Sequence, residues 1–249
     1  MAMGIQYSFE RYEKKYFLTP AQKELLLSRI HNFVRADIYD NYSIGNIYYD
    51  TEDWRLIRAS IEKPAYKEKL RVRSYDGLLN NGTVFAELKK KCCGVVYKRR
   101  ILTKADEVGN ILGHAELAEK FGQIGKEIQW FQSIYQTYPR VFIGYDREAY
   151  SGIYDPGLRI TFDTNMRWRD TDLDLRLGNF GDPIIRTECI LMEIKIPGVF
   201  PLWLGALLSE LGIFPISFSK YGTCYRTHIL NQPLKKCENE NKKEAHLCA

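Results

Sequence analysis

Cations occupy alternate positions of the segment EKLRVRSYD, as Lys69, Arg71 and Arg73. Successive side chains of a β-strand point to opposite faces, so these three would share one face while Leu70 and Val72 share the other. Guanidinium groups make paired hydrogen bonds with phosphate oxygens, and ammonium groups bind phosphates as compact charges. The segment therefore predicts one strand of an anion-binding surface.

The same alternation places charge on one face of most other candidate strands. The cations on this face are Arg11, Lys15, Lys69, Arg71, Arg73, Lys89, Lys98, Arg100, Arg147, Arg159, Lys195 and Lys220. The carboxylates on it are Glu13, Glu87, Asp163 and Glu193. The whole chain has 36 Lys and Arg against 31 Asp and Glu, so this face is selectively basic.

Two arrangements could explain a basic face. The opposite positions are mostly apolar, so the charges could simply face water on one side of a half-exposed antiparallel sheet. A solvated face, however, usually mixes charges of both signs to limit repulsion. If the sheet closes, the cations line a tunnel whose low-dielectric walls strengthen their field, and a bound polyanion would offset the repulsion. The excess of one sign favours the tunnel.

The carboxylates on this face allow two interpretations. Glu193 lies two positions before Lys195, so it could hold a divalent cation beside a phosphate-binding lysine. It could equally form a salt bridge with a neighbouring arginine inside the sheet. The spacing alone leaves both open.

The elements that position these residues are many strands and few helices. Thr19 and Pro20 are typical of a helix N-cap and first helical position, and the following segment has an apolar stripe. We expect an α+β protein with one large antiparallel sheet, closed into a tunnel, and flanking helices. We expect residues 1–234 to form a single domain and the polar segment 235–249 to be disordered.

Composition narrows the class of protein. The chain has 249 residues, of which 45% are hydrophobic, and a formal net charge of +5, so the arrangement of charge is more informative than its total. The N-terminus lacks the apolar core of a signal peptide, and no segment has the roughly 18 uninterrupted apolar residues expected of a membrane span. The 6 cysteines include no CxxC pair, which favours free thiols, neither zinc nor disulfides, and a cytoplasmic location.

Eight short motifs resemble one known family, and they occur in its order. They are RYEKKYFL, EKLRVRSYD, VFAELKKK, YKRR, YDREAY, LRITFDT, LMEIKIPG and FSKY. Together they span about residues 9–225 and resemble the vacuolar transporter chaperone (VTC) polyphosphate polymerase domain, a branch of the CYTH-like triphosphate tunnel metalloenzymes.

The resemblance implies an eight-stranded antiparallel tunnel that binds ATP and inorganic polyphosphate or triphosphate. It also implies Mn²⁺- or Mg²⁺-dependent transfer of the ATP γ-phosphate to the chain. The residues expected to act in transfer are Lys15, Arg71, Arg73 and Lys195. The expected substrate ligands are Lys69, Lys89, Lys98, Arg100, Arg147, Arg159, Ser219 and Lys220, of which Lys98 and Arg100 have an ambiguous strand register. Glu193 and Glu13 are the expected metal ligands.

One departure from the superfamily narrows the activity. The wider superfamily opens with Glu-x-Glu-x-Lys, but this chain has Arg11 in place of the first glutamate. Losing a carboxylate makes a two-metal hydrolytic site harder to assemble, which favours the polymerase branch.

The alternatives are a tripolyphosphatase that uses water as acceptor, and a non-catalytic sensor of polyphosphate or nucleotides. A nucleic-acid partner is disfavoured because the nearby aromatics mostly lie on the opposite strand face. The sequence identifies no protein partner.

Overall fold

The computed structural model describes most of the chain. It covers residues 11–76, 82–93, 95–113 and 117–230, without the side chains of residues 11, 38–40, 110 and 113. Most of the predicted turn between Asp76 and Gly82 and the polar tail at 235–249 lie outside these ranges.

Within the described ranges the chain forms ten strands in one sheet. They are β1 (Arg11–Leu18), β2 (Val34–Asp50), β3 (Tyr66–Tyr75), β4 (Thr83–Cys92), β5 (Val95–Lys104), β6 (Tyr138–Gly152), β7 (Arg159–Arg169), β8 (Asp182–Pro183), β9 (Ile190–Pro197) and β10 (Pro215–Ile216). The helices are α1 (Pro20–Ile30), α2 (Arg55–Ile61), α3 (Val108–Gly113), α4 (Leu117–Tyr135), α5 (Leu202–Glu210) and α6 (Lys220–Cys224), and a π-helical turn at Tyr225–Ile229 follows α6.

The first helix begins as its sequence predicts. The Thr19 hydroxyl accepts a hydrogen bond from the Gln22 backbone N–H at 3.2 Å, and the Gln22 side chain accepts one from the Thr19 N–H at 3.0 Å. This capping box satisfies two backbone donors that would otherwise lack partners. The predicted N-cap is therefore confirmed.

The sheet is antiparallel but its edges do not meet. The strand order is β10-β1-β9-β7-β6-β2-β3-β4-β5, and β8 pairs with β7. The expected antiparallel α+β fold is confirmed, whereas the expected closed eight-stranded tunnel is wrong. The physical reason is that β10 occupies the outer edge of β1, through Lys15 opposite Ile216 and Tyr16 opposite Pro215. Closure of the described sheet would need that edge for β5.

Two apolar layers cover one side of the sheet. Helices α1 and α5 pack on β1, β7 and β9 through buried residues such as Leu26, Leu204 and Ile194. Helices α3 and α4 pack on β2 to β5 through residues such as Phe131 and Leu88. We call the opposite side of the sheet, which carries charged residues such as Lys15, Arg71 and Glu193, the inner face.

A third apolar cluster covers one part of the inner face. Helix α6 brings Tyr221 against Tyr48, with ring centroids 4.6 Å apart. The Tyr221 hydroxyl donates to Asp50 at 2.7 Å, and Asp50 also accepts the backbone N–H groups of Leu56 and Ile57 at the start of α2. Because α2 and α6 share this anchor, together they cover that part of the inner face.

One buried arginine fixes the loop that follows β7. The Arg169 guanidinium lies over the Phe142 ring at 3.7 Å and the Phe180 ring at 4.1 Å. It donates to the backbone carbonyls of Asp172, Asp174, Gly178 and Phe180 at 2.7–3.2 Å.

Replacing Arg169 with alanine leaves these acceptors unpaired, so we expect the free energy of unfolding to fall by about 3 kcal/mol. Urea denaturation measures this loss. An Arg186→Ala variant is the control, and an equal change in both variants would contradict the interpretation.

No helix in the described ranges combines the length and the apolar character that a membrane crossing requires.

Candidate anion-binding site on the inner face

The inner face brings together the charged residues that strand alternation selects. The strand residues placed there are Lys15, Lys69, Arg71, Arg73, Lys89, Lys98, Arg100, Arg147, Arg159, Lys195, Glu13 and Glu193. Lys220 was expected on a strand, but it is the first residue of α6, which carries it onto the same face. The roles of these residues as phosphate or metal ligands remain predictions.

Glu193 is the centre of the densest group of charges. Its Oε1 lies 3.5 Å from Lys15 Nζ and 3.6 Å from Lys220 Nζ. Its Oε2 lies 3.2 Å from Lys195 Nζ and 3.6 Å from Arg147 Nη2. Burial raises the pKa of Glu193, but Lys220, Lys195, Lys15 and Arg147 outweigh it and hold that pKa well below its usual range. The carboxylate is therefore ionised, and both interpretations of Glu193 agree with its position.

Asp163 anchors the two most deeply buried cations of this group. Arg147 donates from Nε and Nη2 to the two carboxylate oxygens of Asp163 at 2.6 and 2.7 Å. Lys220 forms a second, short ion pair with Asp163. Burial raises the pKa of Asp163, and Lys220 and Arg147 lower it below its usual range overall. Such a bidentate pair fixes the orientation of Arg147.

Glu87 organises a second group across the inner face. Arg71 donates from Nε to Glu87 Oε2 at 2.8 Å and from Nη1 to the Tyr48 hydroxyl at 3.2 Å. Lys98 forms an ion pair with the other oxygen of Glu87. Burial raises the pKa of Glu87, but Arg71, Arg73 and Lys98 lower it below its usual range. The Lys98 contact also resolves the ambiguous register of β5 in favour of the inner face.

Tyr145 lies between the two groups and was missed from the sequence. Its hydroxyl accepts a hydrogen bond from Arg73 Nη2 at 3.3 Å, while Arg73 Nε donates to Asn46 Oδ1 at 2.8 Å. Burial opposes ionisation of the phenol, but Arg73, Arg147 and Lys220 lower the pKa of Tyr145 to about 8. Tyr145 lies two positions before Arg147, so strand alternation could have found it.

Lys69 and Lys89 have no carboxylate partner in the described structure. Lys69 lies 5.7 Å from the Tyr221 ring centroid. Burial and the neighbouring Lys67 and Lys89 lower the pKa of Lys69 to about 7. The Lys89 side chain is exposed to water on the inner face. Loss of hydration beside neighbouring protein atoms, together with Arg71, Lys195 and Lys15, lowers its pKa to about 8 despite Glu13. Both ammonium groups would be stabilised by a bound anion.

Anion binding should therefore take up protons near neutral pH. With a pKa of about 7, Lys69 is only partly charged near neutral pH, and a bound phosphate favours its charged form. We expect triphosphate binding to take up protons at pH 7–8 and to weaken as the pH rises to 9. The stability of the protein without ligand should instead rise with pH over this range. Between pH 7 and 10 its unfolded state binds more protons than its folded state.

Calorimetry in two buffers of different ionisation enthalpy measures the protons taken up. A Lys69→Met variant gives the combined contribution of Lys89 and of the ligand's own ionisation, which is subtracted. Equal proton uptake by the wild type and this variant would contradict the assignment to Lys69.

Three predicted ligands lie at the edge of these groups. The exposed Arg159 forms an ion pair with Asp37 at 3.0 Å. Arg100 lies over the Phe85 ring at 5.1 Å, without a carboxylate partner among the described residues. The Ser219 hydroxyl accepts the Gly222 N–H at 3.1 Å and so caps α6, a role that its sequence context did not indicate.

Two carboxylates are placed where a divalent cation could be held. Lys15 Nζ lies 3.5 Å from Glu13 Oε1 and 3.5 Å from Glu193 Oε1, so both carboxylates approach the same ammonium group. The described residues contain no cluster of three or more His, Cys, Asp or Glu side chains suited to a metal. Mg²⁺ is often bound by one or two carboxylates together with substrate phosphates. The donor set therefore allows a cation that arrives with a phosphate ligand, and Glu193 and Glu13 are the residues that could hold it.

Comparison with known proteins gives one family and a set of distant folds. The family model described as the VTC domain matches residues 10–229. A proposed adenylate cyclase from Vibrio parahaemolyticus is 13% identical, with a TM-score of 0.47 over 88% of this chain and 98% of that one. A proposed adenylate cyclase from Bacillus halodurans is 14% identical, with a TM-score of 0.47 over 86% and 96%. A protein from Pyrococcus horikoshii is 15% identical, with a TM-score of 0.41 over 84% and 96%. No curated protein sequence matches the chain.

Proposed function

Because the chain belongs to the VTC domain family, we propose that its inner face binds the phosphates of ATP and of inorganic polyphosphate and transfers the γ-phosphate of ATP to the chain. The observation that carries this proposal is the unbalanced charge of the inner face. Lys69 and Lys89 remain without ion-pair partners among the described residues, and loss of hydration together with neighbouring cations lowers the pKa of each. A ligand rich in phosphate would supply the missing negative charge.

The transfer needs no protein nucleophile. A terminal oxygen of the phosphate chain forms a bond to the γ-phosphorus of ATP, and the bond from that phosphorus to the β–γ bridging oxygen breaks. The bonding electrons leave with ADP. In such reactions the protein contributes positioning and stabilisation of charge.

Each group of cations has a distinct part in this proposal. Arg71 and Arg73 are oriented by Glu87 and Asn46, so their remaining N–H groups are fixed for phosphate oxygens. Together with Lys15, Lys89 and Arg159 they bind the triphosphate of ATP.

The cations around Glu193 bind the acceptor or the developing charge, and they are Arg147, Lys195 and Lys220. A divalent ion held by Glu193 and Glu13 would supply charge neutralisation on the transferring phosphoryl group.

Incubation of the protein with ATP and Mn²⁺ or Mg²⁺ tests this function. We expect chains of phosphate, visible by gel electrophoresis, to accumulate together with ADP. Free phosphate without chains would indicate a triphosphatase. Tight triphosphate binding with no turnover would indicate a sensor. Either result would overturn the polymerase proposal.

A further inference from the structure

A row of lysines extends from the inner face to the ends of β3 and β4. Lys67 lies directly opposite Lys91, and Lys69 lies directly opposite Lys89, in the antiparallel pairing of these strands. Lys69 and Lys89 adjoin Arg71, which affects the pKa of both. Lys67 and Lys91 therefore continue the cationic surface beyond the residues assigned to ATP.

This lysine row is not neutralised within the described structure. None of its four members forms an ion pair with a described carboxylate. Lys67 Nζ instead donates to the Ser60 carbonyl in α2 at 3.1 Å. Burial, Lys91 and Lys63 all lower the pKa of Lys67, so its surroundings are cationic. Like charges directly opposite one another destabilise a sheet.

The opposite face of the same strands shows a different arrangement. Lys90 lies between Lys89 and Lys91 in sequence but points to the helix side of the sheet. Its Nζ is 3.6 Å from Glu68 Oε1 and 3.3 Å from Glu127 Oε2. The described structure therefore pairs a lysine with carboxylates where the lysine packs against α4, whereas the four lysines of the row on the inner face have no ion-pair partner among the described residues.

The shape of the row indicates an extended ligand. Residues two positions apart along a strand are separated by about 6.7 Å, so Arg73, Arg71, Lys69 and Lys67 form a line of about 20 Å. A single compact triphosphate cannot contact both ends of this line. A linear anion with charge along its whole length can.

We infer that Lys67 and Lys91 form a distal subsite for a linear inorganic phosphate chain, one that extends from the ATP-binding part of the inner face past α2. This inference rests on the proposed function and adds a preference for chains longer than triphosphate. It assigns binding roles to two residues outside the group expected to perform transfer.

Calorimetric titration with inorganic triphosphate and with a long linear polyphosphate tests the subsite. The test variant is Lys67→Ala/Lys91→Ala. The control variant is Lys14→Ala/Lys126→Ala, which removes the same charge from exposed positions outside the inner face. We expect the wild type to bind the long chain more tightly than triphosphate. The test variant should lose about tenfold in affinity for the long chain and less than about twofold for triphosphate, because each lost lysine removes one charge-assisted contact.

The outcomes separate this inference from the proposed function. If the wild type binds neither ligand, both fail. If it binds triphosphate but has no preference for the long chain, only the distal subsite fails. An equal loss in the test and control variants, or an equal loss for both ligands, would also overturn it. A single-stranded oligonucleotide that binds with the same dependence on Lys67 and Lys91 would assign the subsite to nucleic acid instead.

Discussion

The Arg71→Ala variant is expected to transfer phosphate about 10²–10³ times more slowly than the wild type at saturating ATP. Arg71 is held by Glu87 at 2.8 Å and by the Tyr48 hydroxyl at 3.2 Å, so its geometry is set before substrate binds. Groups fixed in this way stabilise transition-state charge without reorganisation. Steady-state kinetics with ATP measure the loss as a fall in kcat.

Two further variants give this prediction its controls. Arg71→Lys retains the charge but cannot make paired hydrogen bonds, so we expect it to recover only part of the lost rate. Arg186→Ala removes an exposed arginine from a loop and should leave the rate unchanged. Circular dichroism should show that all three proteins are folded. Turnover by a folded Arg71→Ala protein at the wild-type rate would contradict the assignment of Arg71.

The Glu193→Gln variant should change metal-free binding and turnover in opposite directions. Removing this carboxylate leaves Lys15, Lys195, Lys220 and Arg147 with one fewer negative partner. Triphosphate should then bind about tenfold more tightly in the absence of metal, because it no longer competes with a protein carboxylate for these cations. Metal-dependent transfer should fall about 100-fold or more, because a proposed ligand is lost.

Binding measured with and without Mn²⁺ separates these two effects. Glu210→Gln is the matched control, since Glu210 is exposed and paired with Arg29 at 3.1 Å. A carboxylate that only forms salt bridges would give tighter metal-free binding with turnover little changed. That result would assign Glu193 to the sheet's internal ion pairs rather than to the metal.

The two-residue alternation of side chains along a strand was enough to assign residues to the inner face, because each segment shows this alternation independently of the others. Lys69, Arg71 and Arg73 are placed together by β3 alone, whatever the rest of the sheet does. Closure of the sheet was not predictable in this way. It depends on which segment pairs with the outer edge of β1, and the residues that do so, Pro215 and Ile216, form a strand only two residues long.

The ion-pair partners of the cations also could not be predicted from the local sequence pattern. Lys220 was assigned to the correct face but to the wrong element, because the short helix α6 is held by tertiary contacts of Tyr221 with Tyr48 and Asp50. The pairing of Arg147 with Asp163 needs the register between β6 and β7, which includes a bulge near Gly144. Alternation alone gives the face of a residue and not its neighbour on the next strand.

The position of α6 has a consequence for synthesis of the protein. Lys15 contacts the Phe218 carbonyl at 3.0 Å, so segments 203 residues apart meet beside Glu193. A nascent chain on the ribosome completes this centre only after the segment that contains Lys220 has emerged and docked. Until then Asp163 and Glu193 lack one of their cations, so the proposed phosphate site is complete only after the whole of this segment has folded.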